Sequence, residues 1–204
     1  MINEIISALL QVILFAFIPF VVYLIKNKKA KGFWNYIGLK KSTTKANLLA
    51  LLLVAFAAPL FWLTLTNPAF QEIMTDPSSV SGKIRQMGVG IEAIGVILIV
   101  AMIKTALAEE IFFRGFVAKR LIAITNFQTG NILQAVIFGA IHTLLFLSVT
   151  GNIFFLSLIF IFPAVGAYFK TYLNEKFAEG SIIPGWITHA TSNVLSYSIV
   201  AFIV

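Results

Sequence analysis

The sequence predicts an all-α membrane protein, a polytopic helical bundle of about six transmembrane helices, and three observations lead there. Of the 204 residues, 59% are hydrophobic and 11% charged, against about 25% charged in an ordinary soluble domain. Mean hydropathy is +0.95, and the apolar residues gather into runs of the roughly 18 to 20 residues that a helix needs to cross a bilayer core. Between the runs lie connectors that carry most of the charge, seven lysines in one of them. A water-exposed globule is excluded. The chain has no cysteine, which excludes disulfide frameworks, thiol nucleophiles and thiolate metal sites. Any metal would need His, Asp, Glu or Asn ligands.

The first run, about Ile5 to Ile25, has no positive side chain before it and Lys26, Lys28, Lys29 and Lys31 after it. It reads as a retained helix, because a charged leading segment and a small-residue cleavage site are missing. The second run spans about Ala46 to Leu65, with a kink expected at Pro59. Thr66 to Gln86, with Pro68, Asp76, Pro77 and Gly82, reads as a polar connector. A long apolar stretch from about Gly88 to Ile124 follows, interrupted by Lys104, Glu109, Glu110 and Arg114. Further runs cover about Ile132 to Val149, Ile153 to Leu173 and Ile182 to Val204. No repeat or appended soluble domain is evident. Residues 1–87 are expected to form two transmembrane helices with a basic cytoplasmic loop, and 88–204 the core.

The net charge is +7, and its placement argues for a membrane surface over nucleic acid. Lys26, Lys28, Lys29, Lys31, Lys40, Lys41 and Lys45 share one connector. Such a segment attracts anionic lipid headgroups, at about 1 kcal/mol per Lys near the surface. Twelve Lys and Arg fall in the connectors at 26–45, 114–128 and 170–181, while the opposite side has Lys83 and Arg85. Basic loops stay in the cytoplasm, so both termini are expected to face outward.

Ionisable groups inside apolar spans are expensive, about 2.5 to 3.5 kcal/mol for a charge at a helix centre on insertion scales. Here they cluster. In the third span, Glu110 and Arg114 are four apart and share a helical face. Glu109, offset by about 100°, is expected to meet a different neighbour. The fourth span carries Phe138-Gly139-Ala140-Ile141-His142 and the sixth His189-Ala190-Thr191-Ser192-Asn193, the outer residues of each on one face. His142 and His189 are the only histidines. A lone intramembrane His usually packs helices, but two His, two Glu, an Arg and an Asn on three spans suggest a polar pocket, expected to open to the cytoplasm. Gly139, Ala140 and Ala190 would let these helices approach closely.

The ordered set Glu109-Glu110-Ile111-Phe112-Phe113-Arg114, Phe138 to His142 and His189 to Asn193 resembles the CAAX protease and bacteriocin-processing (CPBP, or Abi) family of intramembrane proteases. The resemblance covers about Gly88 to Val204, no motif position is substituted, and Ser181-Ile182-Ile183-Pro184 also looks familial. Residues 88–204 would be the family's catalytic core. The resemblance implies Glu109 as general base on a water held with His142, with His189 and Asn193 stabilising the oxyanion and Glu110 and Arg114 bracing the helix. Independently of it, peptide hydrolysis needs a base and donors aimed at the developing oxyanion, each commonly worth ~3 to 4 kcal/mol.

A divalent metal such as zinc stays open, because Glu109, His142 and His189 offer two imidazoles and a carboxylate; a metal-free, glutamate-activated water is equally compatible. Lys104 is expected to snorkel or to meet a polar group on another helix, and Glu92 to sit at the outer interface. Trp34, Tyr36, Trp62, Trp186 and Tyr197 read as interfacial or packing aromatics. Ser192 and Thr143 lie near the motifs without a Ser-His-acid order.

By resemblance, the expected function is an intramembrane endopeptidase of a bacterial cell membrane acting on leader, pheromone or bacteriocin-type peptides. Its expected partners are a peptide or protein substrate and lipids, with no nucleic acid. The rivals are a non-catalytic bacteriocin-immunity or scaffold protein and a small proton-coupled transporter. Polar residues along a full path would favour the transporter, and the outer halves of the spans are largely apolar.

Overall fold

The computed structural model describes all 204 residues, and every regular element in it is a helix. Five helices are long and apolar enough to cross a membrane. They are α1 (Ile2–Asn27), α3 (Thr44–Thr66), α6 (Ile91–Ile124), α7 (Phe127–Phe146) and α8 (Ile153–Lys176). Three short helices join the set, α2 (Phe33–Tyr36), α4 (Pro68–Met74) and α5 (Val80–Arg85). The last helix, α9 (Ile183–Phe202), is long enough. It is not among the five, its face carrying His189, Ser192, Asn193 and Ser196. The expectation of about six spans is met by five such helices plus this more polar sixth.

Local chemistry sets the ends. Thr43, Asn67, Ser79, Asn126 and Asn152 each accept a hydrogen bond from a backbone N–H of the following first turn, satisfying donors that a helix start leaves orphaned. Lys28 closes α1 in the left-handed conformation. Pro59 follows a 3₁₀ turn at Val54–Ala57, where the ladder of α3 tightens ahead of the residue that cannot donate to it. The stretch read as a plain polar connector contains α4 and α5. Phe70 and Ile73 pack on Phe155, Leu156 and Ile159 of α8, and Ile84 packs with Val96, Ile97, Val100 and Ala201.

Helix α6 is not a regular α-helix. Two stretches, Ile99–Leu107 and Glu110–Ala118, are π-helical, a form that tends to mark functional sites. The Thr105 hydroxyl donates to the carbonyls of Val100 at 2.8 Å and Ala101 at 3.1 Å, a side chain entering the backbone ladder of the first stretch. Close packing follows elsewhere. A Cβ on Gly139 would stand 2.6 Å from the Phe160 carbonyl oxygen, so glycine lets α7 and α8 meet along their backbones. Lys104 does meet a polar group, Glu4 of α1, at 3.0 Å, and exposed Glu92 pairs with the Met1 amine at 3.1 Å.

Lys170 is corrected by the structure. Grouped by sequence with a basic connector, it lies inside α8 and is 5% exposed. Arg114, likewise counted among the loop charges, is 1% exposed. Ten of the twelve still mark the face carrying residues 28–43, 125–126 and 177–182. The positive-inside bias therefore stands. Single cysteines at exposed Lys41 and Ser78 are expected to react with a membrane-impermeant maleimide from opposite sides of sealed vesicles. Reaction from the same side would refute the helix arrangement.

Candidate active site

Three motif-bearing helices, α6, α7 and α9, converge with α8 on one cluster of charges. Glu110 is fully buried, at 0% exposure. Its Oε2 lies 3.3 Å from Arg114 Nε, the four-residue pair read from sequence. Its Oε1 lies 3.2 Å from Lys170 Nζ and 3.0 Å from His189 Nδ1. Gly185 makes room at the start of α9, since a Cβ there would stand 2.7 Å from Glu110 Oε2 and 2.9 Å from Asn174 Nδ2. The Gly185 N–H donates to Asn174 Oδ1 at 2.9 Å.

Glu109 Oε2 lies 3.8 Å from His189 Nε2. The expectation that the adjacent glutamates face different neighbours is therefore not met: they flank the two nitrogens of one imidazole. The wider π turn beginning at Glu110 reduces the angle between successive side chains below that of an α-helix. The gap of 3.8 Å is too long for a direct hydrogen bond. Glu109 Oε2 is buried without a hydrogen-bond partner, while the side chain as a whole is 19% exposed and lines a cavity.

Arg114 has Phe138 beneath it, the guanidinium carbon 4.0 Å from the ring centroid, and Lys170 Nζ lies 5.2 Å from the same centroid. A cation on an aromatic face gains about 2 kcal/mol or more when desolvated, so the first residue of the second motif supports both cations. His142 Nδ1 contacts the Phe138 carbonyl oxygen at 2.9 Å. A carbonyl only accepts, so Nδ1 carries the proton and Nε2 of the neutral ring is an acceptor. Asn193 Nδ2 donates to Thr105 Oγ1 at 3.0 Å, leaving its second amide hydrogen free. Glu109, Glu110, Arg114, Phe138, His142, His189 and Asn193 thus all lie in the cluster or on the wall of the cavity beside it.

Sequence reasoning missed Lys170, Asn174 and Thr105. A signal existed for the first two: Lys170 and Asn174 are four apart at the end of an apolar run, hence on one helical face. With Lys170 included, the cluster has two carboxylates and two basic side chains. That balance matters in a membrane interior, where an unmatched charge is costly. Lys170→Met is expected to lower both thermal stability and cleavage, and Lys170→Arg to restore much of both. Melting and cleavage rates of the purified variants check this; an unaffected Lys170→Met would show that the lysine is dispensable to the cluster.

The cluster sits on the wall of a cavity of about 550 Å³ lined by Glu109, His142, Lys170, His189 and Asn193, and by apolar groups that include Phe56, Phe61, Phe146 and Phe162. The donor set does not fit a metal centre, since no three His, Asp or Glu side chains are grouped to hold an ion. Both nitrogens of His189 already face carboxylates.

Fold and site together define a polytopic integral membrane protein with a carboxylate–imidazole site on the wall of an internal apolar cavity. Residues 92–195 match the family described as type II CAAX prenyl endopeptidase, Rce1-like. That match spans half of the chain and contains all three motifs, and the chain belongs to this family of CAAX-type intramembrane endopeptidases, in agreement with the resemblance read from the motifs. No curated protein and no solved structure matches the chain.

Proposed function

We propose that the protein hydrolyses peptide bonds of membrane-held peptides, of the leader, pheromone or bacteriocin type, with a water activated by Glu109. The observation that carries this reading is the placement of Glu109, His142 and His189 together on the wall of an apolar cavity. A water in the cavity against the Glu109 carboxylate sits beside a base and beside the position of a scissile carbonyl. Glu109 takes one proton as the water oxygen bonds to the carbonyl carbon. The carbonyl electrons move onto oxygen. When the carbon–nitrogen bond breaks, Glu109 returns the proton to the leaving amine, and a carboxylic acid and an amine result.

His142, with its Nε2 lone pair free, accepts a hydrogen bond from the water and orients it. Asn193 offers its spare amide hydrogen to the oxyanion. His189 is held through Nδ1 by Glu110, and a doubly protonated ring would present Nε2–H to the same oxygen with Glu110 compensating its charge. Glu110, Arg114 and Lys170 do not touch substrate in this scheme. They are positioning residues that fix the His189 ring.

The test is cleavage of a candidate membrane peptide by the purified protein beside a Glu109→Ala control. Losing one preorganised donor typically costs about 100- to 1,000-fold in rate, and His189→Ala is expected to lose at least that much. His142→Ala is expected to be inactive while still inserted and folded. Activity within a few-fold of wild type in either variant would leave the histidines as packing residues and refute the scheme.

A further inference from the structure

Helices α6 and α9 meet in two rungs about one turn apart. In one, Glu109 Oε2 stands 3.8 Å from His189 Nε2; in the other, Asn193 Nδ2 donates to Thr105 Oγ1 at 3.0 Å. Thr105 lies four residues before Glu109 and Asn193 four after His189, so the two helices pass in opposite directions, and all four residues line one cavity. The first rung has a group of the proposed reaction on each side. The second has one, Asn193; Thr105, beyond the winding of its own helix, has no part in that scheme.

A threonine inside a helix ordinarily returns its hydroxyl to a backbone carbonyl one turn back and does nothing further. Thr105 does return it, to Val100 at 2.8 Å and to Ala101 at 3.1 Å. A hydroxyl has one hydrogen, and two carbonyl oxygens compete for this one, so it is committed to the backbone. What Thr105 turns towards α9 is therefore a lone pair. That decides which end of the Asn193 amide faces it. Nδ2 can donate to a lone pair, whereas Oδ1 would meet it as a second acceptor. The two ends of a primary amide have nearly the same shape, so packing distinguishes them poorly. The committed hydroxyl distinguishes them by charge.

We infer that Thr105 is a positioning residue for hydrolysis: its backbone-bonded hydroxyl holds the Asn193 amide with nitrogen, not oxygen, beside α6, so that the second hydrogen of Nδ2 is a preorganised donor before substrate arrives. In the flipped amide an oxygen would take the place of that donor and repel an oxyanion formed there. A donor already in place costs no reorganisation as charge develops. The use of this N–H on an oxyanion rests on the peptidase reading, while the orientation of the amide does not. Thr105 itself touches no reacting atom and acts through Asn193.

The orientation is tested without turnover in full-length protein labelled with ¹⁵N-asparagine, in detergent. The two Nδ2 hydrogens of Asn193 are identified by their absence from the Asn193→Ala spectrum. They are expected to resonate well apart in the wild type, one being bonded to Thr105, to draw together in Thr105→Val, and to separate again in Thr105→Ser. An unchanged separation in Thr105→Val overturns the inference; if that variant does not fold, Thr105→Ala carries the same expectation and the same refutation. On a peptide that is cleaved, Thr105→Val is expected to lower kcat about 10- to 100-fold at nearly constant KM, the loss of a hydrogen bond to a charged group read as a rate, and Thr105→Ser to recover most of it. Added to Asn193→Ala, Thr105→Val is expected to lower kcat no further. An equal loss in both backgrounds would show that Thr105 acts elsewhere than through Asn193 and overturns the inference. Asn193→Ala at the wild-type rate overturns the positioning role together with the oxyanion scheme. A protein inactive on every peptide refutes the peptidase reading instead, and the resonances still decide whether Thr105 orients the amide.

Discussion

Replacing Glu110 with Gln is expected to destabilise the protein by about 3 to 5 kcal/mol, the usual cost of breaking a buried ion pair by removing one partner, and to abolish cleavage with it. Glu110 is the common partner of Arg114, Lys170 and His189, at 3.3, 3.2 and 3.0 Å. A neutral amide cannot balance two cations that are 1% and 5% exposed. No other carboxylate pairs with Arg114 or Lys170 within ion-pair distance, and Phe138 offers only its ring face. The loss is charge-specific and therefore reversible. Adding Arg114→Met to Glu110→Gln removes one stranded cation and is expected to recover part of the melting temperature without recovering turnover. Thermal unfolding of the single and double variants in detergent measures both effects; a double variant no more stable than the single one would show that Arg114 is not the stranded charge.

Glu109→Gln is expected to behave in the opposite way, folding and binding substrate as the wild type does while cleaving it at least about 1,000-fold more slowly. Glutamine keeps the shape and some hydrogen bonding of the side chain but cannot accept the proton of the attacking water. Glu109 touches one group of the cluster, His189 at 3.8 Å, and lines the cavity, so its charge matters less to folding than that of Glu110. The paired measurement of melting and cleavage separates the two roles. A stable, inactive Glu110→Gln beside an unstable, partly active Glu109→Gln would exchange them.

The sequence by itself determined the membrane bundle, the motif residues and their helices. Those features rest on short-range regularities: an apolar run long enough to span a bilayer, and four-residue spacings that hold on any helix, such as Glu110 with Arg114. Three features were decided only by the tertiary structure. The convergence of both glutamates on His189 depends on the π-helical winding of α6, to which Thr105 contributes by bonding back to Val100 and Ala101. A periodicity of about 100° per residue cannot show it. Lys170 looked like one more loop lysine because charge counting sees neither depth nor facing helix; only the packing of α8 on α7 carries it over Phe138 to Glu110. The bonding of residues 38–43 across to the α8–α9 turn was likewise beyond sequence: the Ser181 hydroxyl donates to the Lys40 carbonyl, the Thr43 hydroxyl to the Phe177 carbonyl and the Ile182 N–H to the Gly38 carbonyl. These contacts join residues more than 100 positions apart, and no local pattern encodes such a contact before the helices have packed.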